Sequence, residues 1–297
     1  MSLLEEEFRQ LVMAAVAERA AINGGVISRA ELSALLLANG ETHRVIDTGK
    51  GIWNPRGLAA TLSIVSSSDG PYDDRQVEGG MFHYDYQSKS DLGDNSKLRR
   101  AFELGLPIIL LRKIATGVFV PVFPTYVVAD DRPNRRFIIA IDESLRFLAN
   151  PLSPTGPEKR YAERVVRARL HQPEFRGRVI RAYRATCAIC SLKHADLLDA
   201  AHIIGDGEDG GDPIVTNGLS LCKIHHAAYD RNLLGISPDY TVHLDQDLLD
   251  EVDGPMLRHG LQEMHGRSLI VPIKRSELPD RERLSVRFEQ FTSRAVG

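Results

Sequence analysis

The spacing of three cysteines and one histidine constrains this chain more than any other feature. Cys187-Ala-Ile-Cys190 and Cys222-Lys-Ile-His225 are two pairs of ligand-type residues, and they use all three cysteines of the sequence. Each pair can bite one tetrahedral ion, and thiolate plus imidazole donors suit Zn²⁺. An odd number of cysteines argues against a disulfide framework. Where thiols stay reduced, a structural metal is favoured over a disulfide. A redox role is the rival for Cys187 and Cys190 alone, but no thioredoxin-like βαβ pattern surrounds them.

With 297 residues, 43% of them hydrophobic, the chain has room for two cores, and global disorder is excluded. No apolar run reaches the roughly 20 residues that a membrane span needs. Glu5-Glu6-Glu7 is acidic where a secretory signal would be basic. A soluble, cytoplasmic protein without membrane partners is expected. Thirty-seven Lys and Arg against 40 Asp and Glu give a net charge of −3, so any nucleic-acid signal must be local. Such a signal lies between Lys159 and Lys193, where Arg160, Arg164, Arg167, Arg169, Arg176, Arg178, Arg181 and Arg184 are opposed only by Glu163 and Glu174. A nearly single-signed run beside a metal motif points to phosphate contact.

Residues 3–20 read as a helix on the recurrence of Leu4, Phe8, Val12 and Val16. Ser28 and Glu31 form a capping-box pattern that opens a second helix, expected to run to about Asn39. Residues 1–42 are thus a helical segment for packing or dimer contact. From Arg44 to Ile141 short apolar runs alternate with turn signals, the texture of a curved sheet or barrel, with one helix over Ser96–Leu104. The Pro-rich stretch Asn150–Pro157 reads as a linker, so the expected divisions are 1–42, 43–150, a linker and basic helix at 151–177, and 178–297.

Between the two ligand pairs lies Leu198-Asp-Ala-Ala-His202-Ile-Ile204, then an acidic glycine-rich loop, then Val215-Thr-Asn217-Gly-Leu-Ser-Leu221 and a helix over Cys222–Asp230. The order His, Asn, His in a strand–loop–strand–helix frame resembles the HNH endonuclease module, the ββα-metal fold, over residues 178–236. The resemblance implies that His202 is the general base, that Asn217 orients it, and that His226 is a ligand of a catalytic divalent cation such as Mg²⁺ or Mn²⁺. Cys187, Cys190, Cys222 and His225 would then hold the structural zinc. The chemistry calls for such groups: an imidazole can deprotonate water near neutral pH, and a divalent cation neutralises phosphate charge. Many HNH proteins carry a His or Asp just before the base as a second metal ligand. Here that residue is Ala201, so Asp230, one helical turn after His226, is the expected substitute. Asp199 is the weaker candidate, because an extended strand turns it away from His202.

Residues 45–142 resemble, more loosely, the SRA domain, a PUA-like curved β-barrel that binds modified cytosine. Tyr72, Gly79, Phe82 and Tyr84 fall in register with the base-pocket segment of that family. The resemblance implies a flipped base held between Tyr72 and Tyr84, with stacking of about 1–3 kcal/mol per base. The SRA carboxylate position is occupied by Arg75, so Asp74 is the nearest substitute for reading the cytosine amine. Lys89, Lys97, Arg99 and Arg100 are candidate phosphate contacts flanking it.

Together these features give an α+β chain with a curved SRA-like barrel and a ββα-metal nuclease domain, resembling bacterial SRA–HNH restriction enzymes. The implied substrate is double-stranded DNA carrying 5-methylcytosine or 5-hydroxymethylcytosine. A homodimer is expected, because one HNH module has one active site. The alternatives are an HNH nuclease whose first domain reads another DNA feature, and a catalytically silent DNA-binding protein.

Overall fold

The computed structural model describes residues 3–67, 77–78, 80–87 and 93–294. The chain divides into two compact units, Met1–Glu174 and Phe175–Gly297. Among the described residues no helix is long and apolar enough to cross a membrane.

The first unit is built on an eight-stranded sheet curled into a half-barrel. Its strand order is Ile52–Trp53, Ser63–Ser67, Ile108–Ala115, Val118–Asp131, Arg136–Ala140, Met81–Asp85 and Val77–Glu78, with Ile27–Ser28 paired to the start of the longest strand. All pairings are antiparallel except Ser63–Ser67 with Ile108–Ala115. Both faces of the sheet are covered, and the Ile108-Ile-Leu-Leu111 run shows how. Ile108 and Leu110 belong to one core, with Leu98 and Ala101 of the helix Asp94–Leu104 and Ala162, Val166 and Leu170. Ile109 and Leu111 belong to the other, with Val12, Met13 and Val16 of the helix Leu3–Ile22. A strand buried on both sides reads as a continuous apolar run.

Several expectations need correction. Among the short apolar runs expected as separate strands, the structure has one long strand, Val118–Asp131. The register shifts between Ile108↔Thr125 and Leu110↔Val122, a bulge that takes in Pro124, which has no N–H to give the ladder. The second helix keeps its Ser28–Glu31 capping box but spans only Arg29–Ser33, because Leu35 and Leu36 leave it to pair with His43 and Thr42. In the segment 151–177, read as a linker and basic helix, helical structure begins at Gly156, and Ala162, Val166 and Leu170 lie in a core of the first unit. Gly80 allows that packing, since a Cβ there would meet the Ala162 Cβ at 2.6 Å.

The first helix is fixed by a charge as well as by its apolar stripe. Arg9 is fully buried and donates to the carbonyls of Ala60 (3.0 Å), Thr61 (2.8 Å) and Pro107 (2.7 Å) and to Glu5 (2.9 Å). Burial raises the Glu5 carboxyl, but the Ala59 amide and the Arg9 guanidinium bring it net below the usual carboxylate range. Glu5, read from sequence only as part of an acidic start to the chain, is therefore half of a buried ion pair.

Removing one partner of such a pair leaves an uncompensated charge. Arg9→Met should lower the stability of the first unit by about 3–5 kcal/mol, measured by denaturant unfolding. A change below about 1 kcal/mol would show that the pair does not anchor the helix.

Candidate active site

The second unit begins at Phe175, and its functional residues sit on a hairpin and the helix that follows. Leu198–His202 pairs antiparallel with Gly218–Cys222, in the register Leu198↔Cys222 through His202↔Gly218. Cys222 then caps the helix Lys223–Asp230. This strand–loop–strand–helix order is the expected ββα frame.

The four zinc-type ligands meet at the base of the hairpin. Their ligand atoms all lie within 4.8 Å of one another. His225 Nδ1 is 3.1 Å from Cys222 Sγ and 3.6 Å from Cys187 Sγ, and Cys190 Sγ is 4.0 Å from Cys222 Sγ. Sulfurs at about 2.3 Å from a tetrahedral Zn²⁺ would lie about 3.8 Å apart, so the cluster can bind zinc. The Nε2–H of His225 donates to the Gly260 carbonyl at 2.8 Å, which leaves Nδ1 as the donor facing the thiolates.

His202 ends the first strand, half-buried, opposite a residue with no side chain. The Phe175 ring fills that gap and stacks on the imidazole, with centroids 4.0 Å apart and planes at 18°. A Cβ on Gly218 would meet Val179 Cγ2 at 2.4 Å and Phe175 Cζ at 2.9 Å, so only glycine admits this packing. Nε2 of His202 is buried and has no hydrogen-bond partner among the described residues. Burial, together with the nearby His226, holds the His202 pKa below the ordinary imidazole value despite the opposing pull of Asp206 and Asp230.

His202 opens onto a cavity of about 360 Å³ that is also lined by Asp206, Glu208, His226, Asp230 and Arg287. His226 lies between two carboxylates: its Nε2 is 3.3 Å from Asp230 Oδ2 and its Nδ1 is 3.4 Å from Asp199 Oδ2. Octahedral ligands at about 2.1 Å from a hard cation lie about 3.0 Å apart, a separation that the His226–Asp230 pair already approaches. Asp199 is not among the residues that line the cavity; it binds Lys223 and His226. Burial raises its carboxyl, and the Lys223 ammonium and His226 more than offset that, so its pKa is lowered.

Asn217 plays a different part from the one expected. It is fully buried; its Oδ1 accepts from the Ile204 amide at 2.9 Å, and its Nδ2 donates to the carbonyls of Ile204 and Asp212, both at 3.0 Å. The amide therefore braces both ends of the loop after His202 rather than holding the imidazole. Sequence reasoning also missed Phe175, which is hidden in a segment read for its charge, and Arg287 on the helix Arg281–Arg294.

Residues 187–237 match the family model described as HNH endonuclease. This segment is an HNH endonuclease domain. No curated protein matches the chain. Among solved structures it is similar to the "Modification dependent TagI restriction endonuclease", at 17% identity and a TM-score of 0.30, covering 82% of this chain and 86% of that one. It is also similar to the "Type IV phosphorothioation-dependent restriction endonuclease ScoMcrA", at 13% identity and a TM-score of 0.23, covering 84% of this chain and 53%, about half, of that one.

In the first unit, Tyr72 and Asp74, expected in a base pocket, and the candidate phosphate contact Lys89 lie outside the described residues. Tyr84 is 4% exposed, and its hydroxyl donates to the Gly51 carbonyl at 2.9 Å. Three of the candidate phosphate contacts have partners within the unit: Lys97 donates to the Leu58 carbonyl, Arg99 pairs with Asp130, and Arg100 pairs with Glu103. In the basic stretch, Arg176 is occupied by the carbonyls of Ala195 and Leu198.

Gly218→Ala tests the packing around His202. The intruding methyl should cost about 1–3 kcal/mol and push Phe175 off the imidazole. In NMR spectra the His202 ring protons should lose the upfield shift imposed by the phenyl ring. An unchanged shift would show that the stacking does not depend on the missing side chain.

Proposed function

We propose that this protein is a modification-dependent DNA endonuclease, in which the HNH domain hydrolyses phosphodiester bonds and the first unit reads a modified cytosine. The observation that carries the nuclease reading is one cavity lined by His202, His226 and Asp230. His202, its pKa depressed by burial, is neutral at physiological pH and takes the proton of the attacking water. Phe175 and the Asn217-braced loop fix where the imidazole stands. His226 and Asp230 would hold a divalent cation, Mg²⁺ or Mn²⁺ among the candidates, which when bound supplies positive charge against the phosphate and the leaving oxygen. The P–O3′ bond breaks, and the products are 5′-phosphate and 3′-hydroxyl ends. Cys187, Cys190, Cys222 and His225 would hold zinc as a structural cross-link.

The reader assignment rests on the sequence resemblance of residues 45–142 to SRA domains, supported by a curled half-barrel sheet in the first unit. In this reading Tyr72 stacks on the extruded base and Asp74 accepts from its exocyclic amine, while Tyr84, buried and bonded to the Gly51 carbonyl, is part of the core rather than a second stacking face. Each chain has one HNH site, so a double-strand break calls for a homodimer or two successive nicks.

The reader is tested by cleavage of one DNA sequence bearing cytosine, 5-methylcytosine or 5-hydroxymethylcytosine. The modified duplexes should be cut and the unmodified one spared; equal rates on all three would remove the reader function. The base is tested by His202→Ala, which should lower the cleavage rate by about 10²–10⁴-fold. The wild-type acid limb should also lie below pH of about 6.5, because a depressed pKa keeps the basic form present until the pH falls through it. An acid limb above that value would contradict a buried imidazole base.

A further inference from the structure

We infer that Arg287, outside the HNH motif and on the C-terminal helix Arg281–Arg294, is a catalytic residue that clamps the scissile phosphate. The inference deepens the nuclease reading and rests on it. Among the residues lining the cavity, Arg287 is the only Lys or Arg, against the carboxylates of Asp206, Glu208 and Asp230. A DNA phosphate entering so acidic a cavity meets repulsion from each of these groups, and a single divalent cation offsets only two charges. A guanidinium on the same wall supplies the missing positive charge in a form that pairs with two phosphate oxygens at once.

The side chain is held ready for this. Its guanidinium lies over the buried Tyr229 ring at 4.9 Å. One terminal nitrogen donates to the Tyr229 carbonyl at 2.6 Å, next to the Asp230 backbone, and the other donates to Gln290 Oε1 at 2.9 Å. These bonds use two of its five N–H groups and leave donors for a ligand in the cavity. The helix itself is fixed by Leu284, fully buried in the core of the second unit. The clamp is thus mounted on an element that the family match at 187–237 does not include.

The experiment uses the full-length, zinc-replete protein. In a single-turnover assay on cleavable DNA, Arg287→Ala should be slowed by about 10²-fold or more, as for loss of one transition-state donor. Arg287→Lys, which keeps the charge and an aliphatic stem over Tyr229 but loses the fork, should fall between Arg287→Ala and wild type. Added guanidinium at a sub-denaturing level should partly restore Arg287→Ala, which a merely structural arginine would not show. Binding gives an independent readout: in a His202→Ala background, Arg287→Ala should reduce the salt slope of DNA affinity by about one phosphate contact. Wild-type cleavage rates in both Arg287 variants, or an unchanged salt slope, would overturn the clamp while leaving the nuclease reading intact. An inactive wild-type protein would instead remove the nuclease reading and the clamp with it.

Discussion

The convergence of Cys187, Cys190, Cys222 and His225 on one point is the constraint from which the second unit is built. It joins the turn before the first strand to the start of the helix after the second. Everything between those ends is therefore a closed loop of chain with a fixed base. Cys222 is at once a member of the cluster, the last residue of a strand and the cap of the helix Lys223–Asp230, so the cluster sits where that helix starts. His225 and His226 are neighbours on it with opposite duties. The first turns into the thiolate cluster and is held from behind by the Gly260 carbonyl, and the second turns to the cavity. The bond to Gly260 also draws the C-terminal part of the chain toward the cluster.

The cavity combines groups that are costly to bring together. Three carboxylates and two imidazoles face a space of about 360 Å³, and one imidazole nitrogen is buried without a protein partner. Rigidity comes from uncharged contacts. Phe175 stacks on His202 through the gap left by Gly218, and the Asn217 amide spends its hydrogen bonds on the backbone of the adjoining loop. The asparagine of the motif thus holds main chain beside His202 and adds no charge there.

Much of the site was legible in the sequence, because ligand chemistry is local. The spacing of Cys187 with Cys190, and of Cys222 with His225, marked four atoms that the fold brings together, and His202, His226 and Asp230 do line one cavity. What was not legible depends on tertiary approach. Phe175 stacks on His202 and Arg287 lines the cavity, each from an element on one side of the motif, and nothing in their local spacing announces it. The alternation rule turned Asp199 away from His202, but it could not see that Lys223 and His226, one turn apart on the helix, would both reach that carboxylate. In the first unit the apolar runs located the strands. The bulge near Pro124 follows from the register of Val118–Asp131 against Ile108–Ala115, the shortened Arg29–Ser33 helix from the pairing of Leu35 and Leu36 with His43 and Thr42, and the burial of the Arg9–Glu5 pair from the distant carbonyls of Ala60, Thr61 and Pro107.

The central claim is that a divalent cation binds beside His202 on the His226 imidazole. Electron spin-echo spectroscopy of Mn²⁺ added to the zinc-replete protein tests it without reference to cleavage. Imidazole nitrogen modulation should be present in the wild-type protein, disappear in His226→Ala and persist in His202→Ala. Absence of that modulation in the wild-type protein, or its survival in His226→Ala, would contradict the account.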